Sequence, residues 1–181
     1  MKRFSSSMVS AVAAVLLAAP VQAAQPSSAN FVKYGERLQI NGDLTPDFAA
    51  AMQKLLDGNP LVGAVELNSK GEGDIAAARA LRDFIHEKGL NTFVDEECSG
   101  LCTMVFLGGK RRTMTETAKL GFSGFKENTD AVRREDAALG VSDAFLQKAL
   151  ASPETSYASP DDLLGAGFVT DVIPPGDEPR F

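Results

Sequence analysis

Cys98-Ser99-Gly100-Leu101-Cys102-Thr103-Met104-Val105-Phe106-Leu107-Gly108-Gly109 is the stretch whose reading decides the fold. Small residues give way to an unbroken apolar run that stops at a glycine pair. The pattern predicts a helix over 99–107, buried on most sides and entered from the apolar strand Thr92 to Val94. Ser99 reads first as the N-cap of that helix. A strand that turns into a helix aims backbone N–H groups at whatever lies above the corner, so the corner is a candidate anion or oxyanion site.

The chain has 2 cysteines, and both flank this corner. On one helical turn, Cys98 and Cys102 would share a face near bridging distance. In an exported protein such a pair is expected to form a disulfide. The loop it closes is tiny, so its entropic contribution is about 2 kcal/mol. A zinc site needs about four ligands. With His86 the only histidine, no metal site is expected.

The N-terminus reads as a targeting segment. Lys2 and Arg3 precede the small apolar run Met8 to Ala19, and Val21-Gln22-Ala23 fits a small-residue cleavage site. Residues 1–23 are therefore expected to be a signal peptide, 24–173 one folded domain, and 174–181 a loose C-terminal tail. The competing reading is an uncleaved anchor, but the apolar run is short and stops at Pro20. The expected location is periplasmic or secreted, with no stable membrane span after cleavage. Loss of Lys2 and Arg3 would take the net charge from −6 to −8. Such an acidic chain repels phosphate backbones, so nucleic acid is not an expected partner. Lys110-Arg111-Arg112 is the one basic cluster and reads as a solvated turn.

Working outward, strands and helices alternate. Arg37 to Ile40 predicts a strand. Pro46 to Leu56 predicts a helix capped by Thr45, with Phe48, Met52 and Leu55 on one face. Leu61 to Leu67 is an apolar strand ending in the loop Asn68 to Gly73. Asp74 to Lys88 is the clearest helix, with Ile75, Ala78, Leu81 and Ile85 buried and His86, Arg79, Arg82 and Asp83 on its polar stripe. Lys119 to Phe122 predicts a strand, and Thr129 to Leu150 a helix broken near Gly140 and recapped by Ser142. Asp161 to Leu164 predicts a short helix, and Phe168 to Ile173 a last strand. This alternation predicts one α/β domain with a mostly parallel sheet and crossover helices. Ligand sites of such folds lie at the carboxyl ends of strands, here Asn68 to Gly73 and Asp95 to Gly100.

Five motifs in order resemble the Clp protease proteolytic subunit (ClpP)/crotonase superfamily, and in particular its small secreted members. Val65-Glu66-Leu67-Asn68-Ser69-Lys70-Gly71 resembles the strand ending in Asn-Ser-Pro-Gly-Gly. Cys98 to Cys102 is similar to the Cys-x-Ser-Ala-Cys nucleophile corner, and Gly108-Gly109-Lys110-Arg111 to an Ala-Gly-x-x-Arg turn. Lys119-Leu120-Gly121-Phe122 resembles the strand leading into the catalytic histidine. Leu164-Gly165-Ala166-Gly167-Phe168-Val169-Thr170-Asp171 resembles the closing Gly-Leu-Val-Asp. The resemblance runs from about Leu61 to Ile173 and implies a ClpP/crotonase-like fold.

The departures carry the functional message. The resemblance places the nucleophilic serine on Gly100, the histidine on Ser123 and its orienting acid near Thr155. It implies an oxyanion loop at Gly71, Glu72 and Leu101, with Glu72 where a glycine stands and Lys70 where a proline stands. Glycine cannot attack a carbonyl, and a serine hydroxyl is no base at neutral pH. The expected protein is non-catalytic, binding a peptide, an envelope component or a partner, without a cofactor. The resemblance also implies assembly into a homo-oligomer. The alternative is a weak serine hydrolase or peptidase using Ser99, with Lys70 or Lys126 as base. A crotonase-like acyl-CoA enzyme would need Glu72 or Glu97 as its acid, and export argues against it.

Overall fold

The computed structural model describes residues 31–32, 37–124 and 129–179. The expected signal peptide, its cleavage site and Lys126 lie outside them. A six-stranded sheet runs in the order β1 (Phe31–Val32), β2 (Arg37–Ile40), β3 (Ala64–Leu67), β4 (Asn91–Val94), β6 (Arg112–Thr115), β9 (Asp171–Ile173). β1 pairs antiparallel with β2, and every other pairing is parallel. A second, three-stranded sheet has the order β5 (Glu97–Ser99), β7 (Lys119–Phe122), β8 (Ser156–Ala158), with β5–β7 parallel and β7–β8 antiparallel. The mainly parallel α/β architecture agrees with the sequence expectation.

Local chemistry fixes the crossover helices. In α1 (Pro46–Asp57) the Thr45 hydroxyl accepts from the Phe48 N–H at 3.2 Å, with proline at the first position. In α2 (Ile75–Glu87) the Asp74 carboxylate accepts from the Ala77 N–H at 2.8 Å. α1 buries Phe48, Ala49, Met52 and Leu56, and α2 buries Ala77, Ala78, Leu81 and Ile85. Packed between α2 and the small sheet lies α3 (Leu101–Phe106), buried along its whole length, as its apolar sequence requires. The break at Gly140 separates α4 (Thr129–Ala138) from α5 (Asp143–Ala149), and the Ser142 hydroxyl accepts from the Phe145 N–H. The short helix α6 (Pro160–Gly165) follows β8 directly.

Aromatic packing ties the small sheet to its helices. Phe122 packs nearly perpendicular to Phe168 at 4.8 Å and to Phe145 at 5.3 Å between centroids. Each such pair adds about 0.5–1.5 kcal/mol beyond its buried area.

Several sequence expectations are corrected. The helix expected over 99–107 starts at Leu101, because Glu97–Ser99 forms β5. Ser99 is therefore not an N-cap; Gly100 holds that position and supplies no side-chain bond. Leu61 lies outside the strand and is 74% exposed. In the expected last strand, only Asp171–Ile173 is extended and paired. Arg82 leaves the polar stripe of α2: it is buried and bonded to Asp83, Glu135 and Asp136. In the basic cluster, Lys110 and Arg111 are exposed as expected. Arg112 instead opens β6 and donates to the carbonyls of Phe168, Gly167 and Gly109. Glu178, in the C-terminal segment, pairs with buried Arg37 at 2.8 Å.

Candidate functional site

The site is a corner where β5 turns into α3. Gly100, the turning residue, has φ 58° and ψ −127°, a conformation that L side chains rarely adopt. Its N–H donates to the Gly121 carbonyl at 3.0 Å, which fastens the corner to β7. The loop after β3 runs beside it: Ser69 N–H donates to Glu97 O and Ser99 N–H to Ser69 O. Gly71 then presses against the corner so closely that a Cβ would collide with the Ser99 carbonyl oxygen and the Cys102 nitrogen. Only glycine fits there.

Cys98 and Cys102 are at disulfide distance, with Cα atoms 5.3 Å apart. They are not on one helical turn, as their spacing suggested. Cys98 lies on the strand and Cys102 on the helix, so the link braces the two arms of the corner.

Register brings the other singled-out residues together. Leu120, Gly121 and Phe122 pair with Ala158, Tyr157 and Ser156. Carried one step further, that antiparallel register sets Thr155 opposite Ser123. In the parallel pair Ser99 lies beside Gly121. Alternation then puts Ser99, Gly121, Ser123, Thr155 and Tyr157 on one face. A Cβ at Gly121 would lie 2.8 Å from both Ser99 Cβ and Thr155 Cγ2, which confirms the shared face. The sequence-selected position Thr155 thus lies against Gly121, whose carbonyl accepts from the Gly100 N–H, and Ser123 follows the end of β7.

The corner is hydrogen-bonded shut. The Leu101 N–H, one expected oxyanion donor, donates to the Gly71 carbonyl at 3.1 Å. The Gly71 N–H donates to Ser69 Oγ at 3.0 Å. An oxyanion hole needs donors aimed at open space; here the Gly71 carbonyl occupies the direction an oxyanion would take. Glu72 is exposed, and its carbonyl accepts from Leu44 N–H.

Ser99 is 5% exposed, and its hydroxyl lies 3.4 Å from the Lys70 carbonyl and 3.5 Å from Glu97 Oε1. That same carboxylate oxygen accepts from the Tyr157 hydroxyl at 2.9 Å, and the bond pushes the Tyr157 pKa up. Sequence reasoning missed this Tyr157–Glu97 contact across the face. The available signal was Tyr157 standing two residues after Thr155, on the same side of any strand. His86 and Lys70 are exposed, and His86 lies on α2, away from the corner. Among the described residues no group of His, Cys, Asp or Glu is placed to hold a metal, and no helix is long and apolar enough to cross a membrane.

Compared by sequence, the chain matches no protein-family model and no curated protein. Compared by structure, it resembles ClpP1 from Listeria monocytogenes at 15% identity and a TM-score of 0.62, over 76% of this chain and 91% of that one. It is also similar to an enoyl-CoA hydratase from Mycobacterium ulcerans at 14% identity and a TM-score of 0.58, over 83% and 78% of the two chains. A Pseudomonas aeruginosa protein matches at 22% identity and a TM-score of 0.59, over 82% and 77%. The fold is ClpP/crotonase-like. Within a ClpP/crotonase-like fold, the Gly71 loop, the Gly100 corner and the end of β7 are the strand-end loops where ligand sites of parallel α/β sheets gather.

Proposed function

We propose that this is an exported, non-catalytic protein that keeps a ClpP/crotonase-like scaffold and uses it to bind a peptide, an envelope component or a partner. Gly100, Ser123 and Thr155 stand where the resemblance puts nucleophile, base and orienting acid, and none can play that role. The observation that carries the reading is the closed corner: Gly100 offers no side chain, and the neighbouring Leu101 N–H is spent on the Gly71 carbonyl. Removal of nucleophile and base together leaves at most the ~10³–10⁴-fold effect of binding and an oxyanion hole, and here that hole is filled. The N-terminal targeting pattern supports export, and a cysteine pair at disulfide distance suits an oxidising compartment.

One observation favours the alternative, a weak hydrolase using Ser99: its hydroxyl lies 3.5 Å from the Glu97 carboxylate. Burial and the engagement of Glu97 by Tyr157 count against it. The deciding experiment is hydrolysis of an activated ester and of a fluorogenic casein by the purified mature chain. The expected rate is the buffer rate. Hydrolysis abolished by Ser99→Ala would overturn the reading.

A further inference from the structure

Among the described residues β8 is the outer strand of the small sheet, with β7 on one side and no strand on the other. Beside it lies a cleft of about 560 Å³ between the sheet and helices α5 and α6. Ser156, Tyr157 and Ala158, three successive residues, all line it. Successive strand residues point to opposite faces. A cleft that touches all three therefore runs along the strand's edge, where main-chain N–H and C=O groups stand in a row. The cleft's floor is apolar, formed by Phe122, Phe145 and Ala149. Its rim is charged: Asp161 and Asp162 of α6 on one side, Lys148 of α5 on the other. Two carboxylates against one ammonium leave the rim acidic, in a chain of net charge −6.

We propose that the edge of β8 and this cleft take an extended basic peptide, which adds to β8 as a fourth strand and sets a Lys or Arg side chain against Asp161 and Asp162. Main-chain pairing supplies register, alternate apolar side chains enter the Phe122–Phe145 floor, and intervening basic ones meet the rim. The inference rests on the reading of the protein as a binder. It moves the ligand from the closed Gly100 corner to the other face of the small sheet: Ser156 and Ala158 alternate with Tyr157 and share the face of Phe122.

The test uses a capped hexapeptide of alternating Val and Lys, its Val/Glu counterpart, and two N-methylated Val/Lys forms carrying methyls on the odd or the even residues. Binding to the mature chain is followed by calorimetry and amide NMR at low salt. The Val/Lys peptide should bind and shift Ser156–Ala158 and Phe145. One N-methylated set should lose binding by about tenfold or more and the other should keep it, because only alternate amides of an added strand face β8. The Val/Glu peptide should bind at least about tenfold more weakly, and Asp161→Asn should weaken Val/Lys binding by about two- to fivefold, the worth of one exposed ion pair. No binding of the Val/Lys peptide, equal loss from both methylated sets, shifts centred on Gly100, or dimers of the chain paired through β8 would each overturn the proposal. The two readings fail separately. An inert chain that ignores the peptide sinks only this inference. Cleavage of a peptide docked at β8, abolished by Ser99→Ala, sinks only the non-catalytic reading.

Discussion

Replacing Gly100 with serine should cost stability without restoring activity. At φ 58° and ψ −127° a residue with a Cβ is strained by about 1–3 kcal/mol. The new Cβ would lie 3.3 Å from the Lys70 carbonyl oxygen and 3.4 Å from that of Gly71. The hydroxyl therefore has acceptors at hand and recovers up to about 1 kcal/mol. The net loss is about 1–2 kcal/mol, which for a domain of this size lowers Tm by about 2–8 °C. Gly100→Ala carries the same strain without the hydrogen bond and should lose about 1 kcal/mol more. Differential scanning calorimetry of the three proteins measures this, with activated-ester hydrolysis run alongside. Hydrolysis should stay at the buffer rate in Gly100→Ser, because neither Ser123 nor Thr155 can take the proton. An unchanged or raised Tm in both variants would refute the strained corner. Turnover by Gly100→Ser alone would refute the claim that the base is missing as well.

Three further outcomes follow from the geometry. Reduction of the Cys98–Cys102 pair should destabilise the chain by about 2 kcal/mol, the chain-entropy value for so short a loop; urea midpoints with and without reductant measure it, and two alkylatable thiols in unreduced material would contradict the pairing. Arg112→Met strands the carbonyls of Phe168, Gly167 and Gly109, which now accept at 2.8, 2.8 and 3.1 Å; a loss of about 2–3 kcal/mol is expected, and one below about 0.5 kcal/mol would rule out the anchoring role. Burial raises the Asp136 pKa from 3.8 to about 7, against the pull of Arg82. The folded state then holds its proton more tightly than the unfolded chain, so stability falls as pH rises from about 4 to 7 and levels above. Full expression would be about 4 kcal/mol; because the Arg82 guanidinium stays within 3.4 Å, about 1–2 kcal/mol is expected. Asp136→Asn should flatten that slope in urea titrations at pH 4.5 and 7.5, and an unchanged slope would remove Asp136 as its source.

The elements with strong local signals were legible in the sequence. Thr45 and Ser142 cap their helices where the sequence places them, because capping is a contact over three residues; Asp74, which reads as the first residue of its helix, is the N-cap. Of the missed strands, β5 and β8 are three residues long, too short for alternation to declare itself. β6, Arg112–Thr115, reads as polar, and its threonines are buried only because neighbouring strands pair on both sides. Ser99, the last residue of β5, reads as helix because the apolar run of α3 follows within two residues, and only pairing with β7 separates them. The burial of Arg82 depends on Glu135 and Asp136, more than fifty residues away.

At the site, motif order singles out Gly100, Ser123 and Thr155; the structure sets Thr155 against Gly121, to whose carbonyl the Gly100 N–H donates. The closure of the corner was not, since the direction of the Gly71 carbonyl is a backbone rotation that residue identity does not specify. The Tyr157–Glu97 bond is hidden by the sequence separation of 60 between its partners.

The central claim is that this fold holds no working nucleophile. Intact-mass spectrometry of the mature chain after prolonged exposure to a fluorophosphonate probe tests it most directly. The account predicts the unmodified mass, before and after introduction of Ser99→Ala. A stoichiometric adduct on the natural chain, mapped to Ser99 and lost in Ser99→Ala, would contradict it.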